Sequence, residues 1–262
     1  WAFDVRYMND AKEYIQALED LDARCEELWN QRGLGIPRSN ATTVDALLDQ
    51  RFGQYAISFS AAANDLSQWR AYGGDLGCAL VFDLKRLRDR LSRFLPAVGG
   101  TLRYGKCVYD PKERASLVEI RAQELADIEA GDRGASQFPP TRPALSPVFR
   151  AGSAEFWHRL AAESLFKNEA FASEREHRLW VSNPRPENVA FITGRSMLRP
   201  YVPLRMADKR DPDLSLTGVL VKVVLGPTRY PLHTAKAFER FLTNQGLGCI
   251  AVEGCGIPFR SD

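Results

Sequence analysis

The sequence predicts an α+β domain in which helices flank a mixed central sheet. Several segments carry apolar residues at helical spacing, and others carry the alternating or continuous apolar runs of strands. The two types of segment follow one another without the regular strand–helix–strand rhythm of a parallel sheet, which favours α+β over α/β. The chain has 262 residues and a hydrophobic fraction of 45%. We therefore predict a single domain over residues 1–262 with a sizeable core.

The first predicted helix has the clearest boundaries. Asp10 is its N-cap, and Glu13 stands at the third helical position, which completes a capping box. Gly33 and Gly35 end it. A short second helix is capped by Asp65 and ended by Gly73 and Gly74. Residues 84–94 are predicted to form a basic amphipathic helix. The other predicted helices cover residues 44–48, 111–130, 153–169 and 232–244.

Strand patterns recur along the chain between these helices. The runs 77–83 and 219–225 are almost continuously apolar, which predicts strands buried on both faces. The other predicted strands cover residues 55–60, 101–109, 177–182, 189–192, 198–206 and 249–252.

Residues 131–152 differ in composition from the rest of the chain. Four prolines (Pro139, Pro140, Pro143 and Pro147) stand among serine, glycine and arginine. A connection of this length without an element of its own is unusual inside a compact domain. We therefore predict that residues 131–152 are either a mobile insert, which limited proteolysis would cleave first, or a segment that packs as a lid.

Charge and cysteine content exclude several classes of protein. The chain has 35 basic and 33 acidic residues, and this balance does not indicate nucleic-acid binding. Its five cysteines are odd in number and form no CxxC pair, and the three histidines show no metal-ligand spacing, so we predict neither a disulfide framework nor a metal site. A reducing, cytoplasmic location and no membrane span are expected. The start at Trp1, without methionine, suggests that upstream sequence is missing.

The segment around the short second helix is rich in polar and aromatic residues. Asp65 and Gln68 suffice for a helix cap. Trp69 and Tyr72 lie three residues apart on one helical face, where they either contact a ligand or pack on the sheet. Arg70 lies off that face, and its planar guanidinium suits a phosphate or carboxylate group. Arg6, which no helix cap requires, is a further candidate ligand contact.

The segment ASEREHRLW (172–180) carries the strongest candidate site. If it is extended, Glu174, Glu176 and Arg178 project from one face. Two carboxylates and a guanidinium can bind sugar hydroxyls and stabilise positive charge that develops on a ribose ring. The alternative is a ladder of surface ion pairs, which contributes little. Lys167, on the preceding predicted helix, either contacts phosphate or is solvated.

Ser58 and Ser60 alternate along the predicted strand 55–60, so both hydroxyls point to the same face. Their position near the strand end suits a polar pocket and equally suits an edge exposed to solvent. The sequence is compatible with both positions for the two hydroxyls.

Six sequence blocks spread over nearly the whole chain form a specific combination. They are WAFDVRYMNDAKE (1–13), ISFSAAANDLSQWRAYGGDLGCALVFD (57–83), LFKNEAFASEREHRLW (165–180), RPYVPL (199–204), VVLGPT (223–228) and GIPFR (256–260). Together they resemble a bacterial family of unknown function, DUF2971. The order of the parts also resembles the ADP-ribosyltransferase superfamily, which has an N-terminal aromatic or histidine strand, a serine-bearing central strand and a glutamate near a later strand. The resemblance implies an ADP-ribosyltransferase-like fold whose first strand is missing from this chain.

This resemblance implies an enzyme that uses NAD as a substrate, in a defence or toxin role. Glu176 would orient the ribose and Glu174 the acceptor, Arg70 would hold the pyrophosphate, and Ser58 or Ser60 would line the pocket. Arg70, Glu174, Glu176 and Arg178 are then expected to meet in one pocket beside the strand 55–60.

Two other functions are compatible with the same residues. A non-catalytic nucleotide-sensing or interaction module would use Arg70 and the Glu-x-Glu-x-Arg residues as a structural ion network. A nuclease would need an acidic metal site, for which Asp65, Glu174 and Glu176 are the candidates.

Overall fold

The computed structural model describes residues 1–8, 11–33, 53–62, 64–74, 77–135, 165–194, 197–204 and 216–258. The chain divides into two compact units. Unit 1 comprises Trp1–Phe59, Val98–Ala172 and Glu176–Pro203, and unit 2 comprises Ser60–Ala97, Ser173–Arg175 and Leu204–Asp262. Each unit has its own sheet.

The strands, in chain order, are β1 (Ala2–Asp4), β2 (Gln54–Ser60), β3 (Cys78–Phe82), β4 (Thr101–Lys106), β5 (Glu176–Ser182), β6 (Ala190–Thr193), β7 (Leu198–Val202), β8 (Leu220–Leu225) and β9 (Ala251–Gly254). The α-helices are α1 (Ala11–Gln31), α2 (Leu66–Gln68), α3 (Leu84–Val98), α4 (Pro111–Ala135) and α5 (Pro231–Asn244). A π-helical turn, Trp69–Gly73, continues α2, and short 3-10 helices cover Val5–Tyr7, Glu169–Glu174 and Pro186–Asn188.

Unit 1 contains a six-stranded sheet in the order β4-β5-β2-β1-β7-β6. The β1–β2, β1–β7, β4–β5 and β6–β7 pairs are antiparallel. The end of β5 contacts the start of β2 through two hydrogen bonds. The Asn183 backbone N–H donates to the Gly53 carbonyl, and the Ser182 hydroxyl donates to the Gln54 side chain at 2.8 Å. Near the other end of β2, the Ser58 hydroxyl contacts Glu176. These contacts require the two strands to run antiparallel.

Helices α1 and α4 supply most of the core of unit 1. The buried residues recur at three- and four-residue intervals along each helix, which is the spacing of a single helical face. They pack with Phe166 and with Trp180 of β5; the helical residues are Ala17, Leu21, Cys25, Leu28 and Trp29 of α1, and Val118, Ala122 and Ala126 of α4. Gly33, just after α1, has a φ of 64°, a left-handed conformation that favours glycine at a helix end.

Unit 2 contains a three-stranded sheet in the order β3-β8-β9. The β3–β8 pair is antiparallel and the β8–β9 pair is parallel, so this sheet is mixed. Leu242 of α5 packs against β8 residues and Ile250 to form the core of this unit.

The predicted α+β class is confirmed, and the strands lie in two sheets. The sequence patterns missed β1, which is short and is central in the six-stranded sheet. The prediction that residues 77–83 form a strand buried on both faces is wrong. Cys78 and Leu80 of β3 are exposed, whereas Ala79 and Val81 pack inward, because only one face of this strand is covered.

The end of the predicted helix 153–169 is also wrong where the structure describes it. Phe166 instead forms a parallel bridge with Val108, and the Lys167 N–H donates to the Val108 carbonyl at 3.0 Å. Phe166 is fully buried in the core of unit 1, and this packing holds the segment in an extended conformation. The first part of this helix, residues 153–164, lies outside the described residues.

Helix α4 continues through Ala135, five residues past the predicted end, so the predicted mobile insert begins within a helix. Residues 136–152 of that insert, the predicted helix 44–48 and the predicted cap Asp10 lie outside the described residues. Among the described helices, none combines the length and the apolar composition needed to cross a membrane.

The packing of β5 is testable with a matched pair of leucines in the six-stranded sheet. Leu179 on β5 is fully buried, whereas Leu198 on β7 is 57% exposed. We expect Leu179→Ala to lower the free energy of unfolding by about 2–5 kcal/mol, because it leaves a cavity. Leu198→Ala should change it by less than about 0.5 kcal/mol. Urea denaturation measures both, and equal losses would contradict this description of the sheet.

Candidate functional site

A buried ionic cluster stands at the start of β5. The Glu176 carboxylate accepts a hydrogen bond from Arg178 Nε at 2.6 Å through Oε1, and its Oε2 pairs with the Lys167 ammonium. All three side chains are at most 5% exposed. The Ser58 hydroxyl of the neighbouring β2 is close enough to the carboxylate to lower its pKa. We call Lys167, Glu176 and Arg178 the ionic cluster.

Local structure explains how these residues meet. Residues two apart on a strand share a face, which brings Glu176 and Arg178 together. Lys167 arrives from the extended segment that Phe166 anchors in the core, and its ammonium also lies 5.3 Å from the centre of the Phe171 ring. A buried ion pair is tolerated only when its charges and remaining polar atoms are satisfied, and the ionic cluster meets that condition for both carboxylate oxygens.

The surroundings of Glu176 shift its ionisation. Burial raises the pKa of the carboxyl, but Arg178, Lys167 and Ser58 together outweigh that effect and hold the pKa below its ordinary value. Glu176 is therefore ionised at neutral pH. It is an anion that holds two cations in place.

A cleft adjoins the ionic cluster within unit 1. Its volume is about 590 Å³. Charged side chains of α1 and α4 line it and form ion pairs across the two helices, Arg114 with Asp20 at 2.7 Å and Arg24 with Glu119 at 2.5 Å. The full lining is Asp20, Arg24, Tyr109, Pro111, Arg114, Ala115, Val118, Glu119, Lys167, Asn168 and Glu169.

Tyr109 and Lys167 connect the cleft with Glu176. Each lines the cleft, and each contacts Glu176: Lys167 through its ammonium, and Tyr109 through its hydroxyl, which accepts the Glu176 backbone N–H at 2.7 Å. Burial raises the pKa of the Tyr109 hydroxyl. A molecule bound in the cleft would therefore lie one side chain away from Glu176.

Glu174 does not share a face with Glu176 and Arg178, so that part of the predicted triplet is wrong. The strand begins only at Glu176, because Glu174 ends a 3-10 helix and Arg175 has a φ of 45°. This left-handed residue breaks the alternation. The alternative prediction of a surface ion-pair ladder is also wrong, because Glu176 and Arg178 are buried.

The two predicted serines have different partners. Ser58 contacts the ionic cluster, as described above. The Ser60 hydroxyl donates to the Glu174 carbonyl at 2.7 Å and accepts the Ala62 N–H at 3.0 Å, which stabilises the turn after β2.

Trp69 lies in the core of unit 2. It packs with Val224 and Cys255, and its indole N–H donates to Asn64 at 3.0 Å. A side chain at Gly226 would come within 2.8 Å of the Trp69 ring, so glycine is required there for this packing. These contacts favour the core interpretation of Trp69 over a ligand contact.

Tyr72 and Arg70 are exposed on the same turn. Tyr72 is 66% exposed, so the prediction that Trp69 and Tyr72 share a face is wrong. The turn is π-helical, and its looser winding changes which residues align. Asp65 caps α2 as predicted, with its carboxylate accepting the Ser67 N–H.

The predicted residues divide between the two units. Ser58, Glu176 and Arg178 lie in unit 1, whereas Arg70 and Glu174 lie in unit 2. Their convergence in one pocket stays a prediction. Arg6 belongs to the 3-10 helix Val5–Tyr7, and its side chain lies outside the described part of the structure.

Sequence reasoning missed the roles of Lys167, Tyr109 and Arg114. The spacing of the segment around Lys167 resembles a helix, so the sequence does not indicate that this lysine is buried beside Glu176. Nothing in the sequence pairs Arg114 of α4 with Asp20 of α1. Among the residues that the structure describes, no group of three or more histidine, cysteine, aspartate or glutamate side chains is arranged to hold a metal ion.

The ionic cluster makes a testable contribution to stability. We expect Glu176→Gln to lower the free energy of unfolding by about 3–5 kcal/mol, because it removes the buried anion that both cations share. The control is Glu119→Gln, which removes a carboxylate that is 48% exposed and also pairs with an arginine. Glu119→Gln should lower the free energy of unfolding by less than about 1 kcal/mol.

The same cluster should tolerate removal as a whole. We expect the triple variant Lys167→Met, Glu176→Leu, Arg178→Met to recover most of the stability that Glu176→Gln loses, because no buried charge is left without its partner. Urea denaturation of the four proteins gives the comparison. A triple variant as unstable as Glu176→Gln would contradict the electrostatic origin of the loss.

The free energy of unfolding should decrease in two steps as the pH is lowered. Burial, and secondarily Lys106, lowers the pKa of His177 from its ordinary value of 6.5. The unfolded chain therefore takes up that proton first, and stability begins to fall below about pH 6.5. Glu176 has a lowered pKa with an ordinary value of 4.5, so its contribution is complete above about pH 4.5 and is lost below it.

Denaturation at a series of pH values tests these two steps. His177 bonds to Tyr104, with 2.5 Å between Nδ1 and the hydroxyl oxygen. The variant His177→Gln should remove the decline that begins near pH 6.5 and keep the decline below about pH 4.5. An unchanged profile would show that His177 does not titrate differently on folding.

Comparison with known proteins gives one match. The model of the family DUF2971, described as a protein of unknown function, matches residues 68–179. No curated protein and no solved structure matches the chain. The matched segment begins at Gln68 in unit 2 and includes Tyr109, Arg114 and all three residues of the ionic cluster. Over that segment, this chain is similar to DUF2971 proteins.

Proposed function

We propose that this chain is a DUF2971-type nucleotide-sensing module that binds its ligand in the cleft of unit 1. The observation that carries the proposal is the double role of Lys167 and Tyr109, which line the cleft and also contact the buried carboxylate of Glu176. Occupation of the cleft would thereby be transmitted to β5, the strand on which Glu176 and Arg178 lie.

The size and lining of the cleft suit a nucleotide. Its volume of about 590 Å³ falls within the usual range for small-molecule sites, roughly 300–1,000 Å³. Arg24 and Arg114 are partners for phosphate oxygens, since guanidinium groups form paired hydrogen bonds with them. Both arginines now pair with carboxylates, so a phosphate would replace one anionic partner by another. Tyr109 offers a ring for a base or sugar.

The burial of Glu176 favours sensing over catalysis. A carboxylate that stabilises developing positive charge on a ribose must face the substrate. Here one carboxylate oxygen pairs with Lys167 and the other with Arg178, and the residue is only 4% exposed. In this arrangement Glu176 positions cations and does not face the cleft directly.

A second candidate is an ADP-ribosyltransferase-like enzyme that uses NAD as a substrate. The observation that favours it is the contact of the Ser58 hydroxyl with the Glu176 carboxylate, since these residues come from neighbouring strands. That enzyme would have to exchange the cation partners of Glu176 for ribose hydroxyls.

Calorimetric titration with AMP and with NAD tests the cleft. We expect Arg114→Gln to weaken nucleotide binding about tenfold or more, because it removes a charged hydrogen-bond donor. The control is Arg121→Gln on the same helix: Arg121 pairs with Glu124 at 2.8 Å and does not line the cleft. Equal affinities of the two variants, or no binding by the folded wild-type chain, would contradict the proposed site.

Nicotinamide release distinguishes the two candidates. The sensing proposal predicts that NAD, if bound, is not cleaved. Release of nicotinamide by the wild type, with loss of release but not of binding in a folded Glu176→Gln variant, would replace sensing by the enzymatic candidate. The reason is that a carboxylate needed only in the transition state affects turnover before binding.

A further inference from the structure

Helix α3 in unit 2 carries a row of arginines beside a second cavity. Arg86, Arg90 and Arg93 are separated by four and three residues, which places them on one helical face. With Asp89 and the segment Thr217–Val219, they line a cavity of about 260 Å³. We call it the arginine cleft. All of its lining residues belong to unit 2.

The arginine cleft has more positive than negative charge. Three guanidinium groups line it together with one carboxylate. That carboxylate, Asp89, lies 3.9 Å from Arg88, which does not line the cleft. Arg86 is oriented by a 3.0 Å hydrogen bond to the Gly218 carbonyl, and its Nε lies 3.5 Å from Asp83.

Helix stability does not account for this arrangement of charges. The positive end of the helix dipole favours acidic residues in the first turn, and the negative end favours basic residues in the last. The acidic residue at the N-terminus of α3 is Asp83, whose carboxylate accepts the Arg86 N–H at 3.0 Å, whereas Arg86 itself stands in the first turn and the last turn has no basic residue. Like charges four residues apart, such as Arg86 and Arg90, also repel each other. An anion bound between these arginines would remove that repulsion.

We propose that the arginine cleft binds the phosphate group of a small phosphoester. Planar guanidinium groups form paired hydrogen bonds with phosphate oxygens, and three of them surround a single cavity here. The cavity is smaller than the roughly 300–1,000 Å³ typical of complete ligand sites, so it suits a phosphate with a short ester substituent. The segment Thr217–Val219 bounds the cavity on one side, and the net charge of the chain is only +2. Both observations favour a small molecule over a nucleic-acid backbone as the ligand.

Thermal denaturation in inorganic phosphate tests this site. Chloride at the same ionic strength corrects for screening. We expect phosphate to raise the melting temperature of the wild type, and affinity from the concentration dependence to fall about tenfold in Arg90→Gln and in Arg93→Gln. The control, Arg88→Gln, removes the same charge from the same helix outside the cleft and should respond like the wild type.

The outcomes separate a phosphate site from a general basic surface. The absence of a phosphate effect beyond that of chloride would overturn the proposal. Equal losses in Arg88→Gln and Arg90→Gln would also overturn it, because binding would then follow charge and not the cleft. A single-stranded oligonucleotide that binds while phosphate does not would identify a nucleic-acid surface instead. The arginine cleft and the unit 1 cleft share no lining residue, so the loss of phosphate affinity in Arg90→Gln should persist when Arg114→Gln is present in both proteins that are compared.

Discussion

The arrangement of unit 1 depends on the burial of one carboxylate between two cations. Glu176 accepts from Arg178 on its own strand and pairs with Lys167, which comes from a segment held by the packing of Phe166. Removing any one charge would leave the others buried without their partner, so strand β5 and the extended segment 165–168 are constrained together. This constraint also fixes one part of the lining of the cleft between α1 and α4, because Lys167 and Tyr109 line that cleft.

The sequence predicts the helices and strands of this fold better than it predicts which of their side chains are buried and what those side chains contact. Apolar alternation located β2 and β5, and it placed Glu176 and Arg178 on the same face. It could not predict that these charged residues are buried, because their partner Lys167 lies in a segment whose spacing resembles a helix. There, the burial of Phe166 in the core overrides the local propensity.

Other parts of the site depend on backbone conformation that residue patterns do not encode. Arg175 adopts a φ of 45°, and this single residue removes Glu174 from the face of its neighbours. The π-helical turn Trp69–Gly73 has the same kind of effect, since it buries Trp69 and exposes Tyr72 although the two are spaced as neighbours on an α-helix. The cleft itself joins residues of α1 and α4 that are far apart in sequence, and no local pattern links them.

The central position of β1 has a consequence for biosynthesis. This strand pairs with β2 on one side and with β7 on the other, and its Ala2 lies opposite Val202. During translation β1 leaves the ribosome before both of its partners, and β7 emerges only after β2 to β6 have been made. Until then, one edge of the β1–β2 pair has no native partner and is open to pairing with other chains. Slow completion of the sheet, typical of contacts between distant residues, would make nascent unit 1 depend on chaperones that shield such edges.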